Sequence, residues 1–298
     1  MSDSSKVLNG GVGQARPGLG PWLLWVPVVG LLVVLYWRVG FTLYNNWTLT
    51  DSYYSHGFLI PPISLVLVWL RRKDLLATPV NPTWMGFILM AGACGLLILA
   101  DFLSFTVFAQ LSLLPMVVGF VLAAWGPRHF AIVWFPVLFL IFMIPIPPSL
   151  TQSIILETKL AATEGAVQLA RLCSLSMIRD GSYVYFGEDR LLVGEVCGGL
   201  RSLIALLSFG TLMAYISKTR GWAKVLILVL SGPIAIVSNT VRIFALCVIG
   251  YFWGSEAATG FVHDASGILI FAVAFAILFA LETVLRKVAP RKTESTAS

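Results

Sequence analysis

Residues 225–253 read VLILVLSGPIAIVSNTVRIFALCVIGYFW and contain a single charged side chain, Arg242. About 20 apolar residues in a helix are enough to cross the roughly 30 Å hydrocarbon core of a bilayer. This run exceeds that length, so it predicts a transmembrane helix. It therefore decides the fold class, because a helix of this composition has no stable place on the surface of a soluble domain.

The composition extends this conclusion to the whole chain. Of 298 residues, 58% are hydrophobic and only 11% are charged, against roughly 25% charged in ordinary soluble domains. The mean hydropathy is +0.89, which leaves too little polar surface to cover a water-soluble body. The net charge of +6 is expected to set membrane topology, so we do not interpret it as a sign of nucleic-acid binding.

Outward from this run, the sequence predicts an all-α polytopic membrane protein with about eight transmembrane helices. The predicted transmembrane domain covers residues 21–287, between cytoplasmic tails at 1–20 and 288–298. The candidate spans are residues 21–37, 56–70, 84–100, 107–125, 130–146, 201–216, 225–253 and 267–285.

Residues 151–178 have helical propensity but carry polar side chains throughout, which favours an interfacial helix over a ninth span. The positive-inside rule supports this choice, because eight spans with a cytoplasmic N-terminus leave most basic residues inside. Those inside are Lys6, Arg16, Arg71, Arg72, Lys73, Arg128, Lys218, Arg220, Lys224, Arg286, Lys287, Arg291 and Lys292. Residues 179–196 then face outward, and their Asp-Gly turn and alternating aromatic residues predict a short extracytoplasmic β-hairpin.

Cys197 is the candidate nucleophile, in Glu-Val-Cys-Gly-Gly-Leu-Arg directly before an apolar helix. The positive end of a helix dipole and a nearby arginine both raise the thiolate fraction of a cysteine. Gly198 and Gly199 leave backbone N–H groups accessible, so an oxyanion hole is sterically feasible. The structural alternative is a packed cysteine beside a close helix contact. The four cysteines have no Cys-x-x-Cys spacing, which argues against a zinc site or a disulfide framework.

Arg242 is the costly exception in its span, because a guanidinium near mid-membrane costs about 2.5–3.5 kcal/mol on insertion scales. It lies about 16 Å from the end of the run at Trp253, too deep for easy snorkelling. Asn239 precedes it by one turn on the same face and could orient it. An intramembrane arginine in this position predicts a functional role.

The three histidines and Arg201 complete the set of candidates. His263 lies just before the last predicted span and can take part in proton transfer near neutral pH. Arg201 could share a helix face with Cys197, and His56 lies at the outer mouth of the second predicted span. His129 falls in a cytoplasmic turn, where we expect a solvated side chain. No histidine or carboxylate pair has metal-ligand spacing, so neither a metal nor another cofactor is expected.

Four ordered motifs resemble the exosortase/archaeosortase family: Tyr-Ser-His56-Gly, Glu-Val-Cys197-Gly-Gly-Leu-Arg201-Ser, Ser-Asn239-Thr-Val-Arg242 and Phe-Val-His263-Asp-Ala-Ser-Gly. The resemblance covers roughly residues 21–287. It departs from the family at Gly198, where many members have Ser. This difference concerns the subfamily and leaves the candidate nucleophile Cys197 unchanged.

The resemblance implies a multi-pass cysteine transpeptidase or protease of a bacterial cytoplasmic membrane, with its active site facing outward. Its substrates would be secreted proteins that end in a short Pro-containing motif, one transmembrane helix and a basic tail. By position, Cys197 would form an acyl-thioester, Arg242 would donate a proton or stabilise the oxyanion, and His263 would stabilise the transition state or act as acid or base. The acceptor could be water, an amine or a lipid- or glycan-linked group. Membrane lipids would surround the enzyme.

Three other classes remain open on the sequence. Arg242 in a long span could line a transport pathway, although no matching interrupted segments occur in two halves of the chain. An enzyme acting on polyprenyl-linked glycans would want an acidic, metal-binding cluster, which the predicted outer loops lack. A non-catalytic assembly factor is the third class, and silent substitutions at Cys197, Arg242 and His263 would favour it.

Overall fold

A computed structural model describes residues 25–49, 52–186, 189–194, 199–258 and 260–290. The predicted tail at 1–20, residues 291–298 of the other tail, and the candidate residues Cys197 and Gly198 lie outside this range. Within it the chain is mostly helical, with one small antiparallel sheet.

The first half of the described chain is a series of helices. Proline opens two of them, because its fixed φ suits the first helical turn and its missing N–H is not needed there. The helices are α1 Trp25–Leu35, α2 Trp37–Thr48, a 3-10 helix Ser55–Leu59, α3 Ile60–Leu70, α4 Arg72–Ala77, α5 Trp84–Phe102, α6 Thr106–Leu111, α7 Leu113–Ala124, α8 Pro127–Phe139 and a 3-10 turn Leu140–Met143.

The second half contains the longer elements. Helix α9 covers Pro148–Leu172, and three strands follow it: β1 Ile178–Asp180, β2 Tyr183–Phe186 and β3 Asp189–Leu192. Helices α10 Leu200–Ile216, α11 Gly221–Trp253 and α12 Phe261–Val288 complete the described chain. Helix α11 contains Pro233 and continues through it as one helix.

Within the described ranges, four helical segments are long and apolar enough to cross a membrane: Trp84–Phe102, Thr106–Ala124, Gly221–Trp253 and Phe261–Val288. The number rises to six if each of two bent pairs counts as one span. Helices α1 and α2 meet at 55°, and Pro127–Met143 meets α9 at 79°. Two shorter apolar helices, Ser55–Leu70 and Leu200–Ile216, coincide with further predicted spans. The polytopic helical class is confirmed, whereas the number of eight spans stays a prediction.

Two local predictions differ from the structure. The first span was predicted to end at residue 37, and a second helix, α2, follows it at a 55° bend and continues to Thr48, although Asn45, Asn46 and Thr48 lower its hydropathy. The predicted hairpin in residues 179–196 has a third strand, because β1 pairs antiparallel with β2 and β2 pairs antiparallel with β3. Gly181, with φ +57°, makes the turn between the first two strands.

The sheet and α9 both pack against the second half of α11. Val184 and Phe186 of β2 share one buried cluster with Ala166 of α9 and with Ile243 and Cys247 of α11. The Phe186 ring lies so close to α11 that a side chain at Gly250 would meet its Cζ at 2.8 Å. Helix α11 is therefore covered on the stretch that carries Arg242.

The other side of α11 packs against α10 and α12. Leu206, Ile227 and Leu278 come one from each of these helices and are fully buried in a single cluster. This three-helix packing fixes the positions of α10, α11 and α12 relative to one another, and these three helices carry most of the candidate residues.

Helices α5 and α7 approach closely at Gly86. A Cβ at this position would lie 2.6 Å from the Gly119 carbonyl oxygen and would also meet the backbone nitrogen of Ala123. Small residues at such a contact allow two backbones to pack closely in a membrane. Backbone atoms cannot move aside as a flexible side chain can, so the close approach of α5 and α7 requires glycine at position 86.

We expect Gly86→Ala to destabilise the protein by about 1–3 kcal/mol, because the added methyl group forces the two helices apart. The measurement is thermal unfolding of the purified protein in detergent. Gly95→Ala is the matched control on the same helix, since a Cβ there meets nothing within 4 Å. Equal unfolding temperatures for the two variants would show that the close contact does not limit stability.

Candidate active site

Arg242 of α11 and His263 of α12 are hydrogen-bonded neighbours. Arg242 Nη2 lies 3.3 Å from His263 Nε2 and donates to the His263 backbone carbonyl at 3.0 Å. A guanidinium group only donates hydrogen bonds, so His263 Nε2 must be the unprotonated ring nitrogen in this contact. The structure thus brings together two candidates that the sequence placed on different spans.

Ser266 is the third member of this cluster. Arg242 Nε donates to Ser266 Oγ at 3.2 Å, and Ser266 Oγ donates to the His263 carbonyl at 2.7 Å. Among the described residues, the acceptors of the guanidinium are a hydroxyl, a backbone carbonyl and an imidazole nitrogen, and none of them is a carboxylate. Arg242 Nη1 makes no hydrogen bond to the described residues, which leaves this nitrogen available to an incoming oxygen atom.

The start of α12 explains why these groups meet. Gly260, with φ +59°, precedes the helix, which begins at Phe261. His263 and Ser266 are three residues apart, so they lie on one helix face. Gly267 comes next, and a Cβ there would be 3.2 Å from Arg242 Nη2 and 3.3 Å from Cζ. The guanidinium therefore lies directly against the helix backbone.

Asn239 links this cluster to the start of α10. It precedes Arg242 by one turn of α11 and is only 4% exposed. Gly199 has φ +75°, and a Cβ on it would lie 2.7 Å from Asn239 Nδ2. Both the backbone conformation and the close approach require glycine at this position. The residue that caps the N-terminus of α10 therefore packs against α11 one turn from Arg242.

The remaining predictions near α10 have different outcomes. Cys197 and Gly198 lie outside the described residues, so their roles stay predictions. Arg201 is in the first turn of α10, and its buried Nε has no hydrogen-bond partner in the part of the chain that the structure describes. Its predicted place on the Cys197 face also stays a prediction.

His56 lies in a separate cavity between the first helices and α10. This small cavity is lined by His56, Leu59, Ile60, Ile63, Phe139, Ser208 and Phe209. Both ring nitrogens of His56 are buried without a hydrogen-bond partner among the described residues. His56 is thus beside α10, but it is not part of the Arg242 and His263 cluster.

The residues just before His56 do contact the start of α10. Tyr54 shares a buried cluster with Leu200 and Ile204, and its Oη accepts a hydrogen bond from the backbone N–H of Ile146 at 2.8 Å. Burial raises the pKa of the Tyr54 phenol, so it stays protonated at neutral pH. Tyr54 therefore joins the early motif to the helix that follows Cys197.

One histidine was predicted wrongly, and two residues of the cluster were missed. His129 was expected to be solvated, but it is 5% exposed, because it lies in the first turn of α8 and packs inward. Ser266 and Gly267 were not chosen as site residues. The last span was predicted to begin at residue 267, whereas α12 begins at Phe261, so the one-turn spacing of Ser266 from His263 was not recognised. Within the described ranges, no group of three or more His, Cys, Asp or Glu side chains is arranged to hold a metal ion.

A family model described as transmembrane exosortase matches residues 45–280, which is more than half of the chain. The chain belongs to the transmembrane exosortase family. No curated protein and no solved structure matches it. The matched range contains His56, Cys197, Asn239, Arg242 and His263. Family membership and the apolar helices together make this exosortase a multi-pass membrane protein.

Proposed function

We propose that this exosortase is a cysteine transpeptidase or protease that cleaves C-terminal sorting signals of secreted proteins. The observation that carries the proposal is the contact set around Arg242. A guanidinium and an imidazole meet on α11 and α12, and one turn away α11 packs against Gly199. Gly199 follows Cys197 by only two residues in the sequence. Because even an extended chain advances only about 3.3–3.6 Å per residue, we expect Cys197 to lie near this contact.

In the proposed reaction, Cys197 provides the nucleophile. Its sulfur forms a bond to the scissile carbonyl carbon, and the thiol proton passes to His263 Nε2, which gives up its contact with Arg242 Nη2 while Nη2 keeps its bond to the His263 carbonyl. The tetrahedral intermediate collapses with cleavage of the C–N bond, and His263 returns the proton to the leaving amine. Water or an amine then attacks the thioester carbon, the S–C bond breaks, and the sulfur regains a proton by the same route.

Arg242 is suited to stabilise the oxyanion rather than to give up a proton, because a guanidinium stays protonated in proteins. Its Nη1 is free of bonds to the described residues, while Nε and Nη2 are held by Ser266 and His263. A donor that is already oriented before the reaction loses little energy to reorganisation when charge develops. The observed geometry therefore supports oxyanion stabilisation by Arg242 and proton transfer by His263.

The proposed substrates are secreted proteins with a Pro-containing motif, one transmembrane helix and a basic tail. The helix would lie beside the enzyme in a bacterial cytoplasmic membrane, and cleavage would occur on the outer side. The proposed acceptor is water, an amine or a lipid- or glycan-linked group. Neither a metal nor another cofactor takes part in the steps proposed for Cys197, Arg242 and His263.

We expect a covalent adduct on Cys197 when the purified enzyme is mixed with a reporter protein that ends in such a signal. After an acid quench, mass spectrometry should find the N-terminal fragment of the reporter on the peptide that contains Cys197. Hydroxylamine should release it, because it cleaves thioesters. Cleavage of the reporter with no adduct on Cys197, or with an adduct on another side chain, would contradict the proposed acyl-thioester.

A further inference from the structure

We infer that Ser266 is a positioning residue for Arg242, and that Ser266 and Gly267 together fix the guanidinium for the proposed reaction. The inference rests on the proposed function, in which Arg242 stabilises the oxyanion, and it assigns to Ser266 and Gly267 the orientation of that donor. Ser266 Oγ is the acceptor for Arg242 Nε and the donor to the His263 carbonyl. The hydroxyl therefore joins the two catalytic candidates through a single atom.

The hydrogen-bond directions leave the hydroxyl little freedom. A serine hydroxyl has one proton and two lone pairs. Because a carbonyl oxygen can only accept, the proton must point to His263 O, and a lone pair is then available for Arg242 Nε. Without the hydroxyl, Nε would lose its acceptor at a part-buried position, and a donor that is removed from water and left unpaired is costly.

Gly267 restricts the same guanidinium from a second side. A Cβ at this residue would meet Arg242 Nη2 at 3.2 Å and Cζ at 3.3 Å, which is closer than most real Cβ contacts. Arg242 would have to shift by a few tenths of an ångström to accommodate an alanine. Ser266 thus holds the guanidinium by a hydrogen bond, and Gly267 allows it to lie close enough for that bond to form.

This arrangement suits the task of an oxyanion stabiliser. Arginine has many rotamers and loses about 2 kcal/mol of side-chain entropy when it is fixed. Two held nitrogens, Nε and Nη2, define the plane of the group and hence the direction of Nη1. A catalytic donor that is misplaced by a fraction of an ångström loses much of its effect.

The first test is Ser266→Ala, measured as the steady-state rate of reporter cleavage by the full-length enzyme in detergent. We expect kcat to fall about tenfold to a hundredfold with KM little changed, because Ser266 acts on Arg242 and not on substrate binding. Ser266→Thr keeps the hydroxyl and should recover cleavage to within about threefold of the unmodified enzyme. Ser231→Ala is the matched control, since among the described residues its hydroxyl bonds to the Ile227 carbonyl of its own helix alone, and it should leave the rate unchanged.

A double-mutant cycle separates positioning from loss of stability. In an Arg242→Lys background, Ser266→Ala should cause no further loss of kcat, because lysine has no Nε for the serine to hold. Additive losses would overturn the inference, and so would a Ser266→Ala enzyme with unchanged kcat. Gly267→Ala should lower kcat as well, whereas its control, Gly95→Ala, should not.

A measurement without substrate distinguishes failure of this inference from failure of the proposed function. In a chain with Cys94, Cys173 and Cys247 replaced by alanine, the rate of Cys197 alkylation by iodoacetamide reports its thiolate fraction as a function of pH. Ser266→Ala should move this profile to higher pH, in the same direction as Arg242→Ala, and Ser266→Thr should not. An unmoved profile for Ser266→Ala overturns the positioning role, whereas failure of the unmodified enzyme to cleave any reporter counts against the proposed function alone.

Discussion

Cys197→Ala is expected to abolish processing of a co-expressed sorting-signal reporter, with a loss of at least about a thousandfold in rate. The proposed reaction begins with bond formation to the Cys197 sulfur, and alanine offers no atom that can replace it. When the nucleophile of a catalytic set is removed, the remaining groups contribute little, because they act on a step that no longer occurs. The measurement is the ratio of processed to unprocessed reporter on an immunoblot.

Two comparisons make this result interpretable. Cys173→Ala is the matched control, because Cys173 is an exposed free thiol after the end of α9, and it should leave processing intact. The amount and unfolding temperature of the Cys197→Ala protein should equal those of the unmodified enzyme. Processing that persists in this variant at more than about a tenth of the original rate would contradict the cysteine mechanism.

The sequence predicted the membrane class and singled out Arg242 and His263 as candidate residues for a clear physical reason. Charged and titratable side chains are so costly in an apolar span that each one stands out. Ser266 does not stand out in this way, because serine is common near helix starts and its hydroxyl often bonds to the preceding turn. Its role depends on which side chain of a neighbouring helix lies opposite, and a single sequence does not contain this information.

The errors in the fold have similar causes. Hydropathy marks where a span becomes polar, so the sequence ended the first span near the 55° bend after Leu35 and did not predict α2, Trp37–Thr48, which follows it. Hydropathy also carries no information about the angle between consecutive helices, so the 79° bend between Pro127–Met143 and α9 could not be predicted from apolar content alone. The strand β1 has only three residues, Ile178–Asp180, and a segment this short carries too little alternation to be recognised.

Arg242→Lys is expected to lower the cleavage rate by about a hundredfold or more, although the positive charge is kept. Lysine presents a compact ammonium group, whereas the guanidinium is a planar fork that donates from several nitrogens in fixed directions. In the structure Nε bonds to Ser266 and Nη2 to His263, and a lysine cannot make both bonds and still offer a donor in the direction of Nη1. Loss of one oriented oxyanion donor costs about a hundredfold to a thousandfold in kcat.

The control for this substitution is Arg38→Lys. Arg38 forms an exposed salt bridge to Asp101 at 3.0 Å, and a surface ion pair contributes little to stability, so this variant should process the reporter at the original rate. The assay is kcat for the cleavage of the purified reporter, measured beside the unfolding temperature of each variant. An Arg242→Lys enzyme that works within about threefold of the original rate would mean that charge alone suffices, and it would remove Arg242 from the oxyanion role. A large loss at an unchanged unfolding temperature would instead mean that the direction of its donors matters, which a purely topological or structural arginine does not require.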